Sequence, residues 1–430
     1  MLLTAAHDAD TLRFTTAGSV DDGKSTLIGR LLYDTQSILD DQVRALEGAT
    51  IRHGHVEAGE KLDLSLLTDG LMAEREQGIT IDVAYRYFTS MVGTEQRRFI
   101  IADTPGHEQY TRNMVTGAST ADLTTILLDV SRGLTTQSKR HALIASLLRI
   151  PQVVVAVNKM DLAGYSEDVF ARIKNEFELF LGPLGFTQIS FIPVSALNGD
   201  MVVNRGTSMA WYSGATLLQT LVSARIFRDS SVGFRFPVQL VSRAKFGPQN
   251  DLRGYCGRVE SGRVFVSDEV MVLPSMQRAT VMQIHTFDGG QEGAKHGESI
   301  TLVLDRQIDI SRGDMIVHPH TLPMVDAKLS ANLCWLDIEP MNLSRRYWLK
   351  HTSQVTRAQV IEIGYRLDVN TMVKQTGVTT LTMNEIGQVD IKMQRPLMFD
   401  TYEDNRPTGC FVLIDDATNR TVAAGMIVNK

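Results

Sequence analysis

The sequence contains few cysteines, no long apolar run and no excess of basic residues. Its three cysteines, Cys256, Cys334 and Cys410, lie far apart and outside any C-x-x-C spacing. That spacing argues against a disulfide framework or a zinc site and fits a reducing cytoplasm. No apolar run approaches the roughly 20 residues needed to span a bilayer, and residues 1–10 lack the basic and apolar regions of a secretion signal. We therefore expect a cytoplasmic protein without a membrane partner.

Acidic residues slightly outnumber basic ones. Lys and Arg number 43 and Asp and Glu 49, which gives a formal net charge of −6. Proteins that bind nucleic acids generally carry a basic excess, so a nucleic-acid partner is not expected, although net charge says little about a single basic face. A chain of 430 residues with 43% hydrophobic residues should form two or three globular domains.

Two kinds of pattern divide the chain. Up to about residue 225, short apolar strands alternate with helical stretches, which predicts a mostly parallel sheet flanked by helices. The predicted strands are 12–18, 97–103, 123–130, 152–158 and 189–195, and the predicted helices include 24–34, 139–150 and 167–185. Beyond about residue 228, short strands punctuated by Gly, Asp and Ser predict antiparallel barrels, with a second β-rich unit starting near Val325. We therefore predict an α/β P-loop NTPase domain followed by two antiparallel β-barrel domains, over residues 1–228, 229–325 and 326–430.

The first informative motif is a phosphate-binding loop. Residues 18–25 match G-x-x-x-x-G-K-[ST], and they follow a predicted strand (12–18) and open a predicted helix (24–34). Glycines allow a tight turn whose N–H groups point at phosphates, and the helix N-terminus adds positive partial charge. Lys24 should reach the β- and γ-phosphates, and the Ser25 hydroxyl should bind Mg²⁺. The predicted contacts are Gly18, Ser19, Val20, Asp21, Asp22, Gly23, Lys24, Ser25 and Thr26.

Two further segments fit the chemistry of the γ-phosphate. Asp103 ends an apolar strand and can hold Mg²⁺, and Gly106 can bring its N–H close to the phosphate. His107 follows and is placed to orient the attacking water, although a histidine in this position could also be an ordinary surface residue. Upstream, Thr80 can give its hydroxyl to Mg²⁺ and its N–H to the phosphate, as a switch loop does. We predict Lys24, Thr80, Gly106 and His107 as catalytic, and Ser25, Thr80 and Asp103 as metal ligands.

A third motif selects the base. Asn158, Lys159 and Asp161 form N-K-x-D at the end of an apolar strand. The carboxylate of Asp161 can accept both N1–H and the amino group of guanine, a donor pair that adenine lacks. Lys159 can cover the base face, Asn158 can brace the loop, and a second segment can contact O6 through the Ala196 N–H. This order of motifs favours GTP over ATP, and the second segment consists of Ser195, Ala196 and Leu197.

The chain resembles the translation-factor class of P-loop GTPases in segments 18–25, 69–80, 103–107 and 158–161. That class has a G domain followed by two β-barrels. A histidine that positions water follows its D-T-P-G motif, which is residues 103–106 here. The chain departs from elongation factors at three positions, which are Gln77 in place of Arg, Asp22 in place of His and Ser25 in place of Thr. The strings EREQGITIDVAYRYF and SVDDGKSTLIGRLLYD are instead similar to the GTPase subunit of bacterial sulfate adenylyltransferase.

That resemblance implies a specific activity and partner. GTP hydrolysis would drive formation of adenylyl sulfate and pyrophosphate from ATP and sulfate. The small catalytic ATP-sulfurylase subunit would bind those two substrates, since this chain lacks an S-G-G-x-D-S loop. By residue match, Val20 and Ile79 would form an apolar gate beside His107, and Asp21 would assist a monovalent cation. Some relatives add an adenylyl-sulfate kinase domain, and the sequence reaches Lys430 without one, which suits a short relative or part of a longer chain.

Two other functions use the same motifs. An elongation-factor-like GTPase delivering aminoacyl-tRNA could contact RNA through the basic aromatic segment 345–351. In an acidic chain, a solvated barrel loop or a partner contact is the favoured interpretation of that segment. A switch scaffold with negligible hydrolysis would need the nucleotide contacts but not His107.

Overall fold

The computed structural model describes residues 11–38, 64–67, 80, 82–92, 95–107, 110–226, 232–243 and 253–429. The chain divides into two compact units, Met1–Phe227 and Arg228–Lys430. Across the described ranges, every helix is too short or too polar to cross a membrane.

The first unit is built on a six-stranded sheet with the order β2-β3-β1-β4-β5-β6. Neighbouring strands run parallel except for β2, which pairs antiparallel with β3 at one edge. β4 and β5 are buried along their whole length, as expected for central strands covered on both faces. The strands are β1 (Thr11–Ala17), β2 (Ala84–Val92), β3 (Glu95–Asp103), β4 (Leu123–Asp129), β5 (Gln152–Asn158) and β6 (Gln188–Pro193).

Helices of the first unit bury apolar faces against this sheet. Leu27, Ile28 and Leu31 of the first helix are fully buried in the same core as Phe14 and Val155. The helices are α1 (Lys24–Asp34), α2 (Thr111–Ala118), α3 (Thr136–Leu147), α4 (Glu167–Leu181) and α5 (Leu217–Ser223), with 3-10 turns at Leu64–Leu67, Met160–Ala163 and Gly182–Leu184. The carboxyl ends of β1, β3, β4 and β5 therefore face loops that lead into these helices, which is where α/β sheets bind ligands.

The second unit begins with an antiparallel barrel. Strands follow the order β10-β15-β7-β8-β14-β11, and pairing of β10 with β11 closes the sheet. β12 extends β11, and β9 pairs separately with β13. The strands are β7 (Arg235–Ser242), β8 (Gly254–Arg258), β9 (Arg263–Phe265), β10 (Glu269–Leu273), β11 (Gln277–Thr286), β12 (Gly289–Gln291), β13 (Gly293–Lys295), β14 (Ser299–Leu304) and β15 (Met315–Val317).

A second antiparallel barrel follows with its own core. Its order is β17-β21-β22-β16-β20-β18, closed by pairing of β17 with β18, and β19 extends β18. Trp335, Leu349, Ile391 and Leu413 lie in the apolar interior. The strands are β16 (Met324–Trp335), β17 (Tyr347–His351), β18 (Gln354–Leu367), β19 (Lys374–Gln375), β20 (Ile386–Phe399), β21 (Cys410–Asp415) and β22 (Thr421–Val428).

A buried ion pair joins the two barrels within the second unit. Arg235 on β7 donates from Nε and Nη2 to the two carboxylate oxygens of Asp400, at 2.9 and 2.8 Å. Only 3% and 7% of these side chains are exposed. Thr408 also donates to Asp400 through its hydroxyl, at 2.6 Å. The predicted fold class, a P-loop domain followed by two barrels, is confirmed, whereas the exact domain limits stay a prediction.

Candidate nucleotide-binding site

The loop between β1 and α1 has the backbone of an anion-binding turn. Asp21 and Gly23 both take left-handed conformations, with φ of 70° and 91°. Asp22 holds the turn from inside, since its Oδ2 accepts the Ser19 N–H at 2.6 Å and its side chain is buried. Alternation of right- and left-handed residues makes successive N–H groups converge on one point. The predicted phosphate loop therefore has the geometry that its motif requires.

Lys24 lies inside this loop. Its Nζ donates to the carbonyl oxygens of Gly18 and Ser19, at 2.8 and 3.1 Å, and the residue is only 7% exposed. Burial lowers the pKa of the Lys24 ammonium, while the nearby carboxylates of Asp103 and Asp22 act in the opposite direction. An ammonium held by backbone carbonyls and facing the centre of the turn is well placed to exchange them for phosphate oxygens.

The segment after β3 packs directly onto the phosphate loop. A Cβ added at Gly106 would stand 2.4 Å from both the Gly18 carbonyl oxygen and Lys24 Nζ. Only glycine fits such a close approach. Asp103, at the end of β3, is 2% exposed, and its Oδ1 accepts from the Thr16 hydroxyl at 3.2 Å. The structure thus brings Gly18, Lys24, Asp103 and Gly106 together, as the motif order predicts.

Two predicted catalytic residues lie at the margin of this region. His107 follows Gly106 directly, is half-buried, and has its ring centroid 6.0 Å from that of Tyr110. Thr80 is half-buried in irregular backbone that precedes β2. Ile79, predicted as one side of an apolar gate with Val20, lies outside the described residues. The roles of His107, Thr80 and Val20 remain predictions.

Asn158 connects the phosphate loop to the predicted base reader. At the end of β5, its Nδ2 donates to the Asp22 carbonyl oxygen at 2.8 Å, and its Oδ1 accepts the Ala196 N–H at 3.0 Å. A Cβ at Gly23 would lie 2.5 Å from Asn158 Nδ2, so this glycine is required by close packing as well as by its φ. Asn158 therefore connects both halves of the site. It accepts a hydrogen bond from the same Ala196 N–H that is predicted to meet guanine O6.

Asp161 and Lys159 have defined partners. Ser195 donates its hydroxyl to Asp161 Oδ1 at 2.6 Å, which fixes the carboxylate predicted to bind guanine. Lys159 is in the left-handed region, with φ of 62°, and its Nζ pairs with Asp129 Oδ2 at 2.8 Å. Burial raises the pKa of the Asp129 carboxyl, but hydrogen bonds from Lys159 and Ser131 outweigh it and lower that pKa below its ordinary value. The Lys159 head group is thus anchored beside the predicted base face.

Sequence reasoning missed two residues that shape the site. Arg30 on α1 donates to the carbonyl oxygens of Ala196 and Leu197, at 3.2 and 2.8 Å, and so supports the second guanine segment. Asp129 ends β4 in the position where parallel sheets place ligand-binding side chains, and that signal was available in the sequence. Arg30 gave no such signal, because nothing in its helix marks it as different from a surface arginine.

The donor set suits magnesium. Ser25 lies half-buried in the first turn of α1 and supplies a hydroxyl, and Asp103 is the last residue of β3 and supplies a carboxylate. Mg²⁺ prefers oxygen ligands and is usually held by one or two protein groups together with substrate phosphates and waters. The residues therefore fit the ion that the motifs imply.

The basic aromatic segment 345–351 is partly engaged within the second barrel, while Arg346 and Lys350 are exposed. Arg345 pairs with Asp415 at 2.9 Å. Trp348 is covered by the Arg357 guanidinium, 3.7 Å from its ring centroid, and Arg357 pairs with Asp416. Tyr347 and His351 are buried. These contacts favour the interpretation of the segment as barrel structure.

Known protein families match segments in both units of the chain. A family model described as the elongation factor Tu GTP binding domain matches residues 9–226, and one described as GTP-eEF1A C-terminal domain-like matches residues 328–428. A protein of Bacteroides fragilis named sulfate adenylyltransferase subunit 1 is 50% identical over 422 residues, covering 98% of this chain and 86% of that protein. Proteins of the same name from Shewanella woodyi and Cellvibrio japonicus are 48% and 50% identical over 99% of this chain, covering 89% and 88% of their own lengths.

Proposed function

The chain belongs to the sulfate adenylyltransferase subunit 1 family, and we propose that its GTP hydrolysis drives the uphill formation of adenylyl sulfate and pyrophosphate from ATP and sulfate. Similarity to proteins named sulfate adenylyltransferase subunit 1 supports the coupling to sulfate activation, and the observation that carries the GTPase part is the bridge made by Asn158 between the Asp22 carbonyl and the Ala196 N–H. That bridge holds a phosphate cradle and a guanine reader in one fixed arrangement, as an enzyme selective for GTP requires.

Each group has a role in phosphoryl transfer. The loop N–H groups and Lys24 bind the β- and γ-phosphates, and Lys24 offsets charge that develops as the terminal phosphoryl group leaves. Ser25, Thr80 and Asp103 would hold Mg²⁺, which would neutralise charge on the phosphates. The Gly106 N–H approaches the γ-phosphate, and His107 orients the attacking water. Asp161, fixed by Ser195, accepts the two guanine donors.

The chemistry on ATP and sulfate belongs to a partner. The chain has no S-G-G-x-D-S pyrophosphate loop, and the name of its relatives, subunit 1, implies at least one further subunit. We assign adenylyl transfer to a small catalytic subunit that binds ATP and sulfate, and the energy-coupling step to this chain in the cytoplasm.

An aminoacyl-tRNA carrier is the second candidate, because the domain order is that of elongation factors. The segment 345–351 gives this candidate little support, since Arg345 is neutralised by Asp415 and Trp348 is covered by Arg357, which leaves Arg346 and Lys350 as its exposed basic residues. A salt-sensitive gel shift with aminoacyl-tRNA would support this candidate in place of sulfate activation.

Partner-dependent turnover tests the proposal. The rate of GTP hydrolysis is measured for the chain alone, with its small subunit, and with the small subunit plus ATP and sulfate. We expect slow basal turnover that rises about tenfold or more in the complete mixture, which corresponds to a barrier lowered by about 1.4 kcal/mol or more. ATP without sulfate is the matched control and should give a smaller rise. A rate unchanged by all three additions would contradict the proposal.

A further inference from the structure

The loop between β4 and α3 contacts the outer side of the phosphate loop. Arg132 donates from Nη1 to the Val20 carbonyl oxygen at 3.0 Å, and its Nη2 lies 3.5 Å from Asp21 Oδ2. Thr135, the N-cap of α3, adds a hydroxyl contact of 3.2 Å to Ser19. Three successive residues of the phosphate loop, Ser19 to Asp21, are therefore held from one neighbouring segment.

The phosphate loop contains an electrostatic conflict. Asp21 and Asp22 put two consecutive carboxylates beside the position of a polyanionic ligand. Asp22 has a structural use, since it accepts the Ser19 N–H from a buried position. Asp21 is different, because 68% of its side chain is exposed and its carboxylate pairs with Arg132. Without a cation beside it, Asp21 would repel the phosphates.

The backbone turn that carries Arg132 is anchored by several hydrogen bonds. The Asp129 carbonyl oxygen accepts the N–H groups of Arg132 and Gly133, at 3.1 and 2.9 Å, which makes a tight turn at the end of β4. The Asp129 carboxylate also accepts from the Ser131 N–H at 2.8 Å and from Lys159 Nζ at 2.8 Å. The turn that carries Arg132 is thus anchored to the same lysine that belongs to the base reader.

We propose that Arg132 is a positioning residue for GTP. It neutralises Asp21, and it draws the Val20 carbonyl outward so that the N–H groups of the loop face the β- and γ-phosphates. The inference rests on the GTP binding contained in the proposed function. It predicts that Arg132 matters for nucleotides that occupy the phosphate loop with two or three phosphates, and much less for a monophosphate.

The test compares affinities for GTP and GMP in the purified full chain. Arg132→Ala should weaken GTP binding up to about fivefold, since its contacts with the loop are partly exposed and screened by solvent, and should leave GMP binding unchanged. Arg132→Lys should recover part of the loss. Asp21→Asn in the Arg132→Ala background should restore the part of the GTP affinity that was lost to charge repulsion, because the unneutralised carboxylate is then gone and asparagine tolerates a positive φ.

Arg172→Ala on the exposed face of α4 is the matched control and should leave both affinities unchanged. GTP binding by Arg132→Ala equal to that of the parent would overturn the inference. Equal losses for GTP and GMP together with a lower melting temperature would also overturn it, since they indicate a general structural defect. A parent protein that binds no GTP would instead overturn the proposed function itself.

Discussion

Single side chains connect the parts of this site. Asn158 spans from the Asp22 carbonyl to the Ala196 N–H, Ser195 fixes Asp161, and Asp129 fixes Lys159. Each bond joins residues far apart in the chain. The selectivity of the pocket therefore depends on a few buried contacts between segments more than on any one motif.

Asp161→Asn should abolish the preference for guanine. The carboxylate accepts two donors from guanine, and hydrogen bonds to charged groups contribute about 1.5–3 kcal/mol each, so GTP affinity should fall about 100-fold or more. The asparagine amide adds a donor that suits xanthine, which has a carbonyl at position 2. Competition titration with GTP, ATP and xanthosine triphosphate measures the change. An unchanged preference for GTP in this variant would contradict the assignment of Asp161, and Ser195→Ala should produce a smaller loss.

The motifs predicted which residues meet, but not all of their partners. Gly18, Lys24, Asp103, Gly106 and Asn158 come together as expected, because each motif follows the carboxyl end of a strand in one sheet. The pairing of Lys159 with Asp129, and of Arg132 with the phosphate loop, depends on how loops from different strands meet in space. Periodicity and local motifs contain no information about such contacts.

Secondary-structure elements were predictable where their apolar side faces the core. The strand predicted over 152–158 coincides with β5, and the helix predicted over 24–34 coincides with α1. β2 was missed, and it has Tyr87 and Met91 exposed at 66% and 60%, so its apolar residues do not mark a buried face. α5 was missed although Thr216 and Gln219 form a capping box.

Helix limits were displaced where capping decided them. The helix predicted over 139–150 begins at Thr136, because the Thr135 hydroxyl accepts the Ser138 N–H at 3.1 Å. The helix predicted over 167–185 ends at Leu181, and the chain continues as a 3-10 turn that contains Pro183, which has no N–H to donate.

Helix α3 contains a buried histidine that should make stability pH-dependent. His141 is 1% exposed, and burial, with Lys24 and Arg140 nearby, lowers its pKa from 6.5 to about 3. The unfolded chain binds this proton below pH 6.5 and the folded chain does not, so the stabilisation is complete above that pH and is lost as the pH falls towards 3. The loss between pH 7 and pH 5 should be about 2 kcal/mol.

Urea denaturation at several pH values, compared between the parent and His141→Gln, measures this contribution. Glutamine does not titrate, so the variant should lose about 2 kcal/mol less over the same interval. Identical pH dependence in the two proteins would show that His141 is not responsible.

At the scale of the whole molecule, the predicted order of one α/β domain and two barrels is confirmed. It could be predicted because the sequence changes, near residue 228, from alternating strands and helices to short strands alone, and each pattern extends over a long segment. The sequence could not indicate the buried ion pair that joins the two barrels. Arg235 and Asp400 each read as ordinary charged residues, and only their common burial at 3% and 7% exposure reveals the pair.

Asp400→Ala should destabilise the second unit by about 3–5 kcal/mol, because it leaves the Arg235 guanidinium buried without its counter-charge. The exposed pair Arg278–Glu269, at 3.3 Å with side chains 56% and 50% exposed, is a matched control. Glu269→Ala should cost no more than about 1 kcal/mol. Urea denaturation monitored by tryptophan fluorescence compares the two, and similar losses for both variants would contradict the special role of the buried pair.

The same pair has a consequence for synthesis of the chain. Its partners are 165 residues apart, so at typical rates of translation about 8–33 seconds separate the appearance of Arg235 from that of Asp400. During that interval the first barrel emerges from the ribosome with an arginine in a place that will later be closed off from water. The buried pair can therefore form only after residue 400 has been made, so Arg235 gains its counter-charge late in synthesis of the chain.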